Sequence, residues 1–185
     1  MKKFKVTILV GSLRKDSHNL KLAKALSKLA GDRLETHIAT IFDLPLFSQD
    51  LEADFPSQAT RLKKDIEAAD AILFVTPEYN RGIPGVLKNA IDWASRPYGK
   101  NSFAKKPAAL CGVSVGAIGT ACAQYALKPT LCYLDISLMH QPEVYLQFRD
   151  GLIDLNGNIS NEGTQKFLQG FVDQFAQWIE QHRVT

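Results

Sequence analysis

Two short stretches of this 185-residue chain carry groups that could bind an anion and a flat ring. The first is Gly11-Ser12-Leu13-Arg14-Lys15-Asp16-Ser17-His18-Asn19, which offers a glycine for a tight turn, two hydroxyls, a guanidinium and an amide. Standing just ahead of a helix, it adds that helix's first unpaired N–H groups, and together these are the donors a phosphate monoester requires. It matches neither G-x-G-x-x-G nor G-x-x-x-x-G-K-[ST], which weakens the dinucleotide and nucleoside triphosphate readings. The plain alternative is a basic surface turn with an ordinary N-cap. The second stretch is Thr76-Pro77-Glu78-Tyr79-Asn80-Arg81-Gly82-Ile83-Pro84-Gly85. Its prolines and glycines stiffen a loop that presents backbone, one aromatic and one amide, which suits a heterocycle whose rim alternates donors and acceptors. Its plain alternative is a well-capped connection into the next helix.

Gly112-Val113-Ser114-Val115-Gly116 is a rival motif, because G-x-S-x-G at a strand end before a helix is the setting of a hydrolase nucleophile. Asp135, Asp154 or Asp173 with His182 follow in the right chain order. Against it, no H-G-G-G-like oxyanion loop is present, His182 stands where chains usually fray, and both earlier loops stay unexplained. Val10-Gly11-Ser12 also lacks the acidic residues of a phospho-acceptor receiver domain. Cys111, Cys122 and Cys132, and His18, His37, His140 and His182, are scattered without ligand spacing, so no metal site is expected.

The elements that would position these loops alternate. Phe4 to Val10 is apolar on both faces and reads as a buried parallel strand. Leu22, Leu26 and Leu29 mark a helix starting near Ser17 and ended by Gly31. Leu34 to Ala39 is a more polar edge strand, and a helix spans about Pro56 to Ala69. Ala71 to Val75 is a central strand, with Pro84 at the first position of a helix through Trp93. Pro107 to Val115, Ala117 to about Leu134 (kinked or stopped by Pro129) and Ile136 to His140 supply the fourth strand, fourth helix and fifth strand. Asp150-Gly151 and Asn156-Gly157 mark a small hairpin, and Phe167 to Ile179 carries the clearest amphipathic pattern. The expectation is one α/β domain over 1–185: a flavodoxin-like, doubly wound, five-stranded parallel sheet in order 2-1-3-4-5 with helices on both faces. A Rossmann-like order 3-2-1-4-5 fits less well, because the most polar strand belongs at an edge. Ligands bind such a sheet beyond the carboxyl ends of strands one and three, where both loops lie.

The same motifs resemble those of the NADPH-dependent FMN reductases, and among them the quinone and chromate reductases. The resemblance rests on Gly11-Ser12-Leu13-Arg14 with Ser17 and Asn19, and on Pro77-Glu78-Tyr79-Asn80 followed by Pro84-Gly85-x-Leu87-Lys88-Asn89-Ala90-Ile91-Asp92-Trp93. It continues through Ser114-Val115-Gly116, Gln124-Tyr125 and Pro142-Glu143. It implies that Ser12, Leu13, Arg14, Ser17, His18 and Asn19 hold an FMN phosphate. Pro77, Glu78, Tyr79, Asn80 and Arg81 would line the isoalloxazine, mainly through backbone, and Ser114 and Gly116 would belong to a third flavin loop. It further implies NADPH (or NADH) as co-substrate and a quinone, azo compound, free flavin or chromate as small-molecule electron acceptor. No side chain stands out as catalytic acid, base or nucleophile. The chain departs from the family's pattern at Arg81, where an aromatic is frequent, and at Gly119-Thr120 and Cys122.

Composition narrows the partners. There are 22 Lys and Arg against 19 Asp and Glu, and the basic pairs Lys2-Lys3, Lys63-Lys64 and Lys105-Lys106 are dispersed, so no nucleic acid is expected. No run reaches membrane-span length, and no signal peptide is read at the start. The scattered cysteines fit a reducing cytoplasm. The pI near 8.7 disfavours a flavodoxin-type electron carrier, the competing non-enzymatic reading. A homodimer or homotetramer is expected from the family's habit, and from Ile91 and Trp93 if they extend an apolar surface beside the second loop.

Overall fold

The computed structural model describes residues 3–183, so Lys2 of the Lys2-Lys3 pair lies outside the described residues. The strands are β1 (Phe4–Val10), β2 (Leu34–Ile38), β3 (Ala71–Val75), β4 (Pro107–Ser114), β5 (Ser137–Leu138) and β6 (Val144–Gln147). The helices are α1 (His18–Leu29), α2 (Ser57–Glu67), α3 (Gly85–Ala94), α4 (Ala121–Tyr133) and α5 (Glu162–His182). All strand pairs are parallel, in the order β2-β1-β3-β4-β5, with β6 also on β4. This is the flavodoxin-like order, and β2 takes the edge because Glu35 and His37 alternate with its apolar residues.

Each face of the sheet has its own core. Val6, Ile8 and Val10 pack with Leu22 and Leu26 of α1 and with Phe171, Phe175 and Ile179 of α5. Leu9, Ile72 and Phe74 pack with Leu62 and Ile66 of α2, Leu87 and Ile91 of α3, and Leu127 and Leu131 of α4. Strand β3 is buried at every residue, as expected for a strand covered by helices on both faces.

The structure corrects the sequence reading in four places. The fifth strand is split: β5 pairs with Pro107 and Ala108, β6 pairs with Cys111 to Ser114, and His140-Gln141-Pro142-Glu143 bulges between them. Val144 to Gln147 is too short and mixed to announce a strand; its signal comes from the unfilled upper half of β4. Helix α4 begins at Ala121 because Gly116 to Thr120 forms a turn, closed by Gly119 N–H on Gly116 O at 3.0 Å. Pro129 lies inside α4 on its exposed side, so the Tyr125 carbonyl it leaves unpaired faces water. Pro84 is the N-cap of α3, not its first helical residue. The small hairpin expected after β6 is present in minimal form, pinned by one antiparallel bridge between Ile153 and Ile159.

Candidate functional site

The carboxyl ends of β1, β3 and β4 release three loops into one cleft of about 220 Å³. Its walls are Ser12, Arg14, Ser17, His18, Asn19, Pro77, Glu78, Tyr79, Val113, Ser114 and Val115. Two glycines allow the loops to approach. A Cβ on Gly11 would stand 3.2 Å from Pro77 Cδ, and one on Gly112 would stand 2.2 Å from Thr76 O.

The first loop turns into α1 through Ser17, a buried N-cap whose Oγ accepts from Leu20 N–H at 3.2 Å. Asn19 is buried and clasps β4: its Nδ2 donates to Val113 O at 2.9 Å and its Oδ1 accepts from Val113 N–H at 3.1 Å. Its amide therefore fixes the loop against the sheet. Arg14 is mostly exposed, with only a 3.8 Å approach to Asp16, whose carboxylate is taken by Lys21 Nζ at 2.6 Å. The bond from Lys21 holds Asp16 below the usual carboxylate range. His18 stacks on Phe148 with ring centroids 3.8 Å apart, and its Nδ1 is buried without a partner. Burial, then the charges of Arg14 and Lys21, push its pKa down.

The second loop is a two-residue hairpin. Gly82 N–H donates to Tyr79 O at 2.9 Å, and Tyr79 N–H to Gly82 O at 3.3 Å. Asn80 and Arg81 between them have φ of 51° and 62°, the pattern of a type I′ turn. The Glu78 side chain, 6% exposed, turns away: Oε2 accepts from Ala123 N–H at 3.1 Å at the start of α4, and Oε1 from Arg81 at 3.1 Å. Neither Pro84 nor Thr120 caps its helix with a side chain, so Glu78 does this for α4. What the loop offers a ligand is backbone, the Pro77 ring and the half-exposed Tyr79, whose hydroxyl donates to Ser12 Oγ at 3.4 Å. In the third loop Ser114 Oγ accepts from Gly116 N–H at 3.2 Å.

Nine of the thirteen residues singled out from the sequence line the cleft; Leu13, Asn80, Arg81 and Gly116 do not. Sequence reasoning missed Phe148, Lys21, Val113 and Val115. The first sits just past an unrecognised strand, Lys21 belongs to no motif, and Val113 and Val115 occupy the variable positions of the Gly112 to Gly116 motif. The hydrolase geometry is not assembled. His182 Nδ1 lies 3.0 Å from Trp178 O at the amino end of the sheet, where neighbouring Arg183 covers the Phe4 ring. Ser114 lies at the opposite end, and Asp173 and Asp154 are bound by Arg33 and by Asn158.

A donor-rich helix entrance beside a stiff, backbone-presenting hairpin, at the switch point of a 2-1-3-4-5 sheet, defines a flavodoxin-like flavin protein. The open guanidinium, the partnerless imidazole nitrogen and the α1 entrance fit a phosphate monoester. The NADPH-dependent FMN reductase family model matches residues 4–150, and the chain belongs to that family. It is 52% identical to a 2-hydroxy-1,4-benzoquinone reductase from a Burkholderia species over 97% of this chain and 98% of that one. It is 48% identical to a quinone reductase from Pseudomonas putida over 98% of each. The solved FerB of Paracoccus denitrificans, a flavoenzyme NAD(P)H:(acceptor) oxidoreductase, superposes with a TM-score of 0.94 at 52% identity, over 98% of this chain and 100% of that one. The protein is an oxidoreductase that works with NAD(P)H and FMN.

Proposed function

We propose that the three-loop cleft is the FMN site of a quinone reductase, with Ser12, Arg14, Ser17 and His18 around the phosphate and Asn19 positioning that loop. The hairpin from Pro77 to Arg81 and the turn from Ser114 to Gly116 would flank the isoalloxazine. Bound FMN supplies two-electron exchange between a nicotinamide and a quinone. The chain supplies fixed backbone dipoles, a charge clamp at the phosphate, and a buried floor of Pro77 and Val113. The observation that carries this is the convergence of the open Arg14, the partnerless His18 Nδ1 and the α1 entrance on one cleft. The relatives' names support a quinone as acceptor.

One domain spans 1–185 in this reading. Among the described residues no helix is long and apolar enough to cross a membrane, and the cysteines are free, which suits a cytoplasmic enzyme. Ile91 and Trp93 do not form the expected docking surface, because both are buried, Trp93 donating to Pro45 O at 2.7 Å. A homodimer or homotetramer is supported instead by Phe42 and Leu46, 71% and 84% exposed on the loop after β2, and by Tyr125 and Tyr133 on α4.

The test is FMN titration of the apoprotein followed by steady-state reduction of quinones with NADPH and NADH. Stoichiometric FMN and turnover with a quinone are expected. FMN binding with no NAD(P)H oxidation would favour the carrier reading.

A further inference from the structure

We infer that Arg81 selects the electron acceptor, favouring quinones that carry an ionised oxygen substituent over neutral ones. The inference rests on the proposed FMN site, because it assumes that the ring end of the flavin faces the second and third loops. The third loop, Gly112 to Thr120, contains no charged residue, and the second contains only Glu78 and Arg81. The Glu78 carboxylate is 6% exposed and held by the Ala123 amide, whereas the Arg81 side chain is 69% exposed. The side-chain charges of these two loops are thus one ion pair, in which the Glu78 carboxylate is buried against the start of α4 and the Arg81 guanidinium is the partner that reaches water.

The guanidinium is only partly used. It gives one hydrogen bond to Glu78 Oε1, leaving most of its five N–H groups directed at water. In the same loop Tyr79 is half-exposed, and in the third loop Val115 and Ile118 are exposed, so apolar surface is open to an incoming ring on both loops. A planar fork with open N–H groups is the geometry that recognises a flat oxyanion. The backbone adds to the case. Arg81 holds φ of 62°, a left-handed conformation that disfavours a residue with a Cβ, so the turn by itself favours glycine here. The pair with Glu78 also orients the fork, since Glu78 is anchored to α4.

The experiment compares naphthoquinone sulfonate with unsubstituted naphthoquinone as acceptors of the FMN-loaded enzyme, in the parent and in Arg81→Gln, Arg81→Lys and Arg81→Gly. The readout is the ratio of kcat/KM for the anionic over the neutral acceptor, in which any general effect on the shared loop cancels. A second readout needs no turnover: the Kd of the sulfonate for the oxidised holoenzyme, by calorimetry at two salt concentrations. Loss of one charge-assisted contact should lower the ratio and raise that Kd about tenfold in Arg81→Gln and Arg81→Gly, with partial recovery in Arg81→Lys. Arg81→Gly suits the left-handed turn and serves if the glutamine variant folds poorly. An unchanged ratio and Kd overturn the inference while leaving the FMN site standing. Loss confined to the KM for NADPH would move Arg81 to the nicotinamide coenzyme and equally overturns it. Loss of FMN binding itself in the parent would remove the site on which the inference rests.

Discussion

The two ends of the sheet treat helix termini in opposite ways. At the amino ends of the strands, the carboxyl termini of α1 to α4 are plugged by the protein's own side chains. Gln169 donates to Leu29 O at 3.2 Å, and Lys106 to Ala69 O at 2.6 Å. Lys63 donates to Ala94 O at 3.2 Å, Lys100 O at 2.7 Å and Ser102 Oγ at 2.6 Å, and Asn101 to Leu134 O at 2.8 Å. At the carboxyl ends, the N-caps of α2 and α3 make no side-chain bond; α4 is capped from outside by Glu78 and α1 by Ser17, but the α1 entrance still leaves the Arg14 guanidinium open and the buried His18 Nδ1 without a partner. One end spends its polar groups on itself, and the other keeps part of them for a ligand. Stability and binding should therefore separate by mutation.

The largest effect is expected at the closed end. Lys63→Met keeps the stem but strips the ammonium from two carbonyls and a hydroxyl, which should cost about 3 kcal/mol. A melting scan should show a fall of roughly 6 to 12 °C for a domain of this size, with FMN affinity unchanged. A parallel loss of FMN affinity would dissolve the contrast between the ends.

Arg14→Ala at the open end should do the reverse. A charge-assisted contact is worth roughly 1.5 to 3 kcal/mol, so the Kd for FMN should rise about ten- to a hundred-fold while apoprotein melting stays put. Riboflavin, which lacks the phosphate, should lose nearly nothing. Equal losses for both ligands would remove Arg14 from the phosphate.

Legibility in the sequence follows the same division. The sheet order could be read because burial on both faces marks β1 and β3 as central and Glu35 and His37 mark β2 as an edge. The loops could be read because donors crowd into one turn and rigid residues into another. The closed end left no trace, since Lys63, Ser102 and Lys106 are ordinary surface residues in sequence and meet only through packing of α2 against the segment before β4. The continuation β6 was missed for a similar reason: its pairing partner is β4, more than thirty residues earlier in sequence, as Cys111 opposite Val144 shows.

A smaller effect belongs to Ser114. Its Oγ serves the Gly116 amide, and the triad partners lie elsewhere, so Ser114→Ala should keep NAD(P)H-dependent quinone reduction within about tenfold of the parent. Removing a nucleophile would erase most of the rate, up to about 10⁶-fold in a hydrolase. If the parent cleaves a simple ester and both Ser114→Ala and His182→Ala abolish that cleavage, the two ends must communicate in a way this fold does not show.

The smallest effect concerns His18, and it tests the open end by protons. Burial against Phe148, with Arg14 and Lys21 nearby, lowers its folded pKa below 6.5, while Asp16 and Asp150 oppose the shift only in part. In that window the unfolded chain binds a proton that the folded apoprotein refuses, so stability is full above 6.5 and declines as pH falls toward the folded value. Denaturant titrations should show the parent losing more stability than His18→Gln on acidification. A phosphate bound beside the ring would offset the two cations and favour the imidazolium. Saturating FMN should therefore shrink the difference between parent and variant, and riboflavin should not. Persistence of the full difference with FMN bound would place the phosphate away from His18 and leave Arg14 to hold it without the imidazole.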